Sequence, residues 1–335
     1  MEYLVKVEHP SNPQMFAAVV QASVAENSSS RIVTMHLRYP RIIHGEVMTH
    51  RVFSRNARSS RAVPVKTMLN EVRNTPFVPW HWGKNQKGMQ ANEECNEPVH
   101  LDWEMVSTGI GELPERRVMT REGAWLWARD KAVEAADAYM DAGYHKQVPN
   151  RLLEPFSWID TLITSTSWAN FLHLRDHGDA EPHFQDLAKL VRKALEEVRD
   201  KKLFQNLLPG EWHLPYITES DREFVAEETD GDIGKMLDML LKISAARCAR
   251  ISYTPFDGNA SYEREIERFN LLVTSERIHA SPTEHQATPD VFIPHSVGWA
   301  NPNLAGNLGP GWIQFRKTLR GENHNTDSAF WNGAA

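Results

Sequence analysis

Thirteen residues constrain this chain more than any others: Thr49-His50-Arg51-Val52-Phe53-Ser54-Arg55-Asn56-Ala57-Arg58-Ser59-Ser60-Arg61. They hold four arginines, a histidine, an asparagine and three serines. They follow directly on Ile32 to Ile43, whose alternating β-branched and aromatic residues predict a strand interrupted at Pro40. Guanidinium forks grip phosphate bidentately, and serine hydroxyls with loop N–H groups complete such a cradle. The same composition also fits a solvated basic loop.

Composition narrows the partners. Among 335 residues, Lys+Arg number 37 and Asp+Glu 44, a net charge of -7. That balance argues against a general binder of nucleic-acid polymers and leaves room for a small basic pocket holding one nucleotide. No run approaches the roughly 20 apolar residues that span a bilayer. The opening MEYLVKVEHPSNPQ has neither a basic region nor an apolar core, so no signal peptide is expected. Cys95 and Cys248 are the only cysteines, which excludes a disulfide framework and a Cys-rich zinc site. The expectation is a reduced, cytoplasmic enzyme.

Along the chain, residues 15–25 read as a short apolar helix or strand, and 75–100, rich in Pro, Trp, Gly, Asn and Gln, as a long ordered loop. Helices are expected over Arg121–Ala142, Ser157–Leu174, Pro182–Val198, Asp221–Glu228, Asp232–Arg250 and Ser261–Ile278, with Ser220 and Glu223 as a capping box. The last 35 residues look irregular around a basic aromatic island, Gly311 to Lys317. No repeat or low-complexity linker divides the chain, so residues 1–335 are expected to form one α+β domain.

The spacing H-R-x-x-S-x-N-x-x-S-x-R resembles the signature of flavin-dependent thymidylate synthases, R-H-R-x-x-S-x-N-x-x-S-x-R, with Thr49 in place of the first arginine. Val148 to Pro155 and Ser167 to Arg175 resemble the family's V-P-x-x-x-A-R-x-x-L-P and N-F-L-x-L-R blocks. A third block is out of order. Ala249-Arg250-Ile251-Ser252-Tyr253 and His279-Ala280-Ser281-Pro282-Thr283-Glu284-His285 match the family's N-terminal A-R-V-S-F and H-x-[ST]-P-F-E-H, with Thr283 for the Phe. The chain therefore resembles a circularly permuted member, which is tolerable where chain ends lie near each other on the surface. The implied fold is a central mixed or antiparallel sheet flanked by helices. Residues 32–200 would carry the arginine motif and helical part, 232–290 the family's N-terminal part, and 291–335 an extension.

The resemblance implies reductive methylation of dUMP to dTMP with FAD, NADPH and methylenetetrahydrofolate, in a homotetramer with shared sites. It places Ser59, Arg61 and Arg151 on the nucleotide and Glu46 near the base. His50, Arg51, Asn170, Ser252 and Ser281 fall on FAD, with Glu284 beside them. Arg175 falls at the uracil edge, where a guanidinium stabilises negative charge as the N3 proton is lost. Departures stand beside the match. Thr164 and Thr166 occupy flavin-contact positions where the family carries Asn and Arg, Glu46 replaces a Gln, and Glu181 and His183 replace a Gln and a Glu. These leave open another pyrimidine nucleotide, a hydroxymethylated product, or a nucleotide-binding protein without catalysis.

The cysteines bear on mechanism. Cys95 lies in an acidic setting and Cys248 in a predicted helix, and neither shows a nucleophile motif. Ser59 has no evident base nearby in sequence. A reduced flavin delivering hydride removes the need for a protein nucleophile. His173 and His177 have the i, i+4 spacing of zinc ligands, but Leu174 stands where a metalloprotease carries Glu. Residues 84–90 and the Gly311–Lys317 island fit either substrate or folate contacts or surface structure.

Overall fold

The computed structural model describes residues 3–107, 112–251, 261–273, 278–294 and 298–322, of which 102–107 and 112–115 are described by their backbone alone. The chain begins with strands β1 (Val5–His9), β2 (Asn12–Ala25) and β3 (Arg31–Pro40). Residues 15–25 thus resolve to strand. Helix α1 (His44–Val47) leads into the short strand β4 (Ser54–Ala57), and α2 (Val65–Asn74) follows. A hairpin of β5 (Val99–Ser107) and β6 (Glu112–Met119), which the sequence reading missed, precedes α3 (Arg121–Asp141) and α4 (Pro149–Leu153).

Residues 157–174 are not one helix but strand β7 (Trp158–Ser165) followed by helix α5 (Ala169–Arg175). β7 lies inside the sheet and is buried on both faces, so its sequence lacks the alternation that marks a half-buried strand. Helix α6 (Pro182–Asp200), strand β8 (Gln205–Leu207) and helices α7 (Glu219–Glu228), α8 (Ile233–Ala249) and α9 (Tyr262–Val273) complete the principal elements. The α7 capping box sits two residues earlier than expected, on Thr218 and Asp221.

The sheet runs β1-β2-β3-β7-β4, antiparallel throughout, with β8 added parallel to β2. This is the α+β architecture that the sequence implied. Because side chains alternate across a strand, the register sorts the two faces. Met15, Ala17, Val19, Val33, Met35, Leu37 and Ile163 face one side and pack on Phe184, Leu187, Ala188, Val191 and Ala194 of α6. The other face is far more polar. Thr34 and Ser54 pair with Thr164, and Arg38 with Asp160. Here the C-terminal half of α8 packs through Cys248 against Val20 and Leu162. A third cluster joins α2, α3 and α4 through Met68, Leu69, Val72, Val133, Ala136 and Leu153.

Candidate functional site

β4 organises the candidate residues. At its leading end, His50 is buried among Phe53, Phe171 and Phe184, with ring centroids 5.6, 5.1 and 6.0 Å away. Arg175, the last residue of α5, lays its guanidinium over Phe184, 4.8 Å from the ring centroid. Its Nε donates to His50 Nε2 at 3.0 Å, and Nη2 donates to Thr49 Oγ1 at 3.2 Å. An arginine only donates, so His50 is the neutral tautomer carrying its proton on Nδ1. Burial, then Arg175 and Arg55, press its pKa down to about 4.

Glu46 stands beside this pair, its Oε2 3.6 Å from Arg175 Nη1, and makes no hydrogen bond through its carboxylate among the described residues. Burial and the neighbouring Glu181 raise the Glu46 pKa while Arg175 opposes them. The loop beneath is held by Arg55, whose Nη1 donates to the carbonyls of Met48 at 2.7 Å and His50 at 3.0 Å.

The trailing end of β4 gathers a second group. Ser59 Oγ accepts from the Arg61 N–H at 3.3 Å, turning the chain tightly. Asn150, on α4 and fully buried, donates through Nδ2 to the carbonyls of Ser60 (2.7 Å) and Val63 (2.9 Å), which pins the turn. Glu154 closes the group, accepting from Ser60 Oγ at 2.6 Å and pairing with Arg41 at 3.1 Å and Arg151 at 3.2 Å. The four motif arginines therefore divide. Arg55 is spent on backbone, and Arg58 on a bidentate pair with Glu71 at 2.7 and 2.8 Å. Arg51 and Arg61 stay exposed, without an acidic partner among the described residues.

The residues from the out-of-order block pack on the same strand. Ser281 and Glu284 bound a single turn of 3-10 helix beside β4. Gln314 Nε2 bridges Ser54 Oγ and the Glu284 carbonyl, each at 3.0 Å. Asn56 Nδ2 donates to the Cys248 carbonyl at 2.8 Å, fastening the end of α8 to the motif. Glu284 is ion-paired with Arg316, and burial raises its pKa against that pull. Ser281 is half-buried, and Asn170 is exposed in the first turn of α5. Ser252 lies outside the described residues.

Thr164 and Thr166 are turned inward. Thr166 Oγ1 donates to the Leu308 carbonyl at 2.6 Å. Thr164 Oγ1 lies 2.6 Å from Thr34 Oγ1 and 2.8 Å from His285 Nδ1, inside a buried chain that continues through His213 to Ser23. Within one chain, then, Glu46, His50 and Arg175 meet at one end of β4, and Ser59, Arg61 and Arg151 at the other. The four residues of β4, about 10 Å from end to end, run between the two groups.

Sequence reasoning gave no role to Arg41, Asn150, Glu154 and Gln314, which position the loops, although Asn150 and Glu154 lie in the Val148–Pro155 block and Gln314 in the Gly311–Lys317 island. In the island around Gly311 to Lys317, Trp312 and Gln314 are buried and Arg316 is ion-paired with Glu284. Residues 84–90 are exposed. Among the described residues, no group of three or more His, Cys, Asp or Glu is placed to hold a metal ion, and no helix is long and apolar enough to cross a membrane. A cavity of about 840 Å³ opens along β2 and α7, lined by Tyr3, Gln21, Tyr216, Arg222 and Arg250. None of the candidate residues lines it.

No family model and no curated protein matches the chain. Among solved structures it is similar to the flavin dependent thymidylate synthase ThyX from Helicobacter pylori, complexed with FAD and dUMP. The identity is 16% and the TM-score 0.31, over 53% of this chain and 77% of that one. So slight a likeness carries no functional argument, which rests instead on the motif and on the groups around β4.

Proposed function

We propose that the chain is a flavin-dependent thymidylate synthase-like enzyme with its segments permuted, converting dUMP to dTMP with FAD, NADPH and methylenetetrahydrofolate. The observation that carries this reading is Arg175 held on neutral His50 by a 3.0 Å hydrogen bond across 125 positions of sequence. Exposed Arg51 and Arg61 stand on the same motif, with no acidic partner among the described residues. The packing of the Ser281 turn and the end of α8 against β4 supports the permuted order.

The residues present fit an anionic planar cofactor. Arg51 and Asn170 are exposed and Ser281 half-exposed, and none of the three side chains has a protein partner among the described residues. Bound FAD would supply the hydride chemistry that makes a protein nucleophile unnecessary. Cys248 is no such nucleophile: it is fully buried, and burial pushes its thiol far above the ordinary range. Ser59 and Arg61 hold the nucleotide phosphate. Arg175 holds the base edge and keeps positive charge where the pyrimidine gains electron density. His50 stays neutral at working pH and fixes the guanidinium plane. Since these groups lie at opposite ends of β4, a second copy of the chain completes each site within a homotetramer.

Anaerobic mixing of flavin-loaded protein with dUMP, methylenetetrahydrofolate and NADPH tests the proposal. dTMP is expected, and its absence from yellow, fully loaded enzyme overturns the reading. Glu46 beside Arg175 favours a second reading, in which the same fold acts on another pyrimidine nucleotide or leaves a hydroxymethyl group.

A further inference from the structure

We propose that the cavity along β2 and α7 is a second ligand site, separate from the groups around β4, and that it takes a small molecule with an apolar body ending in a carboxylate. The cavity measures about 840 Å³, within the range of sites that enclose small molecules. Far-apart segments build it: Tyr3 and Leu4, the middle of β2, the stretch around β8, the approach to α7 and the end of α8. In the sheet β2 lies three strands from β4, about 14 Å at ordinary strand spacing, so a ligand here stands apart from the groups that meet on β4.

The walls define the ligand. Leu4, Val20, Leu203, Leu214 and Ile217 give an apolar surface. Three arginines stand in the same wall, and two of them are neutralised from within the protein. Arg247 makes a bidentate pair with Asp221 at 2.6 and 2.7 Å, and Arg250 is ion-paired with the buried Glu265. Arg222, half-buried on α7, makes no ion pair among the described residues. Glu219, the one carboxylate in the lining, is exposed in the first turn of α7, where the helix's own N–H groups stabilise its charge. The uncommitted cation of the wall is therefore a single guanidinium, whose planar fork matches one carboxylate bidentately. The wall is also held in place, which lowers the cost of ordering it around a ligand. Tyr3 Oη lies 2.7 Å from His36 Nδ1, and His36 Nε2 lies 2.9 Å from Asp160. Arg247 Nη1 donates to the Tyr216 carbonyl at 2.6 Å and holds that residue at a φ of 66°, a left-handed conformation rare for a bulky side chain.

Ligand-observed NMR titration of the full chain, with FAD and dUMP present, tests the site with three probes: 2-naphthoate, 2-naphthyl phosphate and the neutral 2-naphthalenemethanol. 2-Naphthoate should bind about tenfold or more tightly than the alcohol, the scale of a charge-assisted pair. Arg222→Gln should lose that advantage, and Arg222→Lys, which keeps the charge but not the fork, should fall between. Circular dichroism checks that both variants remain folded. Tighter binding of the phosphate than of the carboxylate overturns the head-group assignment. Naphthoate binding that Arg222→Gln leaves unchanged, or no binding to the wild type, overturns the site. Because the readout is binding rather than dTMP formation, such a failure is distinct from a failure of the reading built on β4.

Discussion

Arg55 and Arg58 spend their donors inside the chain while Arg51 and Arg61 keep theirs, and the difference follows from where β4 places each residue. Arg55 reaches back to the loop that precedes the strand, and Arg58 reaches the Glu71 carboxylate on α2. Arg175 is more specialised, with its plane fixed by a ring beneath and a histidine at Nε. Lysine at that position retains the charge but has a single point donor and cannot hold the same plane. We expect Arg175→Lys to lower kcat/KM by about 10²-fold, the scale of losing one oriented donor at developing charge. Steady-state kinetics with the nucleotide as varied substrate checks this, and an Arg175→Lys enzyme within a few-fold of wild type would contradict it.

Elements matter through what they hold still. Helix α6 supplies the buried face on which the sheet rests, and its first turn places Phe184 under Arg175 and Glu181 beside Glu46. Leu187, fully buried one turn later, couples that corner to the core. Its replacement by alanine should cost about 2–5 kcal/mol in denaturant unfolding, the range for removing a buried leucine side chain. A loss below about 1 kcal/mol would mean that α6 contributes less packing than its burial indicates. Helix α4 acts by hydrogen bonding instead. Asn150→Leu leaves the Ser60 and Val63 carbonyls unmet, so the Ser59–Arg61 turn loosens. The expected result is a KM for nucleotide raised by about tenfold with kcat less changed, as for a lost binding contact.

At the scale of the whole molecule, two consequences stand out. One concerns completion of the site. If Arg175 of one copy works with Arg61 of another, Arg175→Ala and Arg61→Ala are each inactive alone. Co-refolded or co-expressed, they should recover part of the activity, measured as dTMP formed per mole of hybrid, whereas no recovery means that each chain builds its own site. The other concerns acid. His44 and His50 are pressed down to about 4, and His213 and His285 to about 3, chiefly by burial. Their affinity for protons is therefore lower folded than unfolded, so the unfolded state gains as pH falls from 6.5 toward those values. Each fully buried histidine can cost up to about 1.4 kcal/mol per unit of pH in that window. Calorimetric Tm should fall steadily from pH 7 to pH 4, and a flat profile would mean that these rings are solvated.

What the amino-acid order determined by itself was chemistry held in short windows. The thirteen-residue arginine motif, the N-F-L-x-L-R block ending in Arg175, and the expectation of an α+β chain needed only local spacing. The motif's arrangement around β4 was not legible, because Asn150, Glu154 and Gln314 act on it from 90 to 260 positions away, and their own short segments do not say which loop they hold. Strand β7 hid for a related reason: burial on both faces erases the alternation that marks a strand. Tertiary structure alone decided which arginines stay free and which threonines turn inward. Backbone register chooses the face each side chain presents, and register is set by the whole sheet rather than by any one segment.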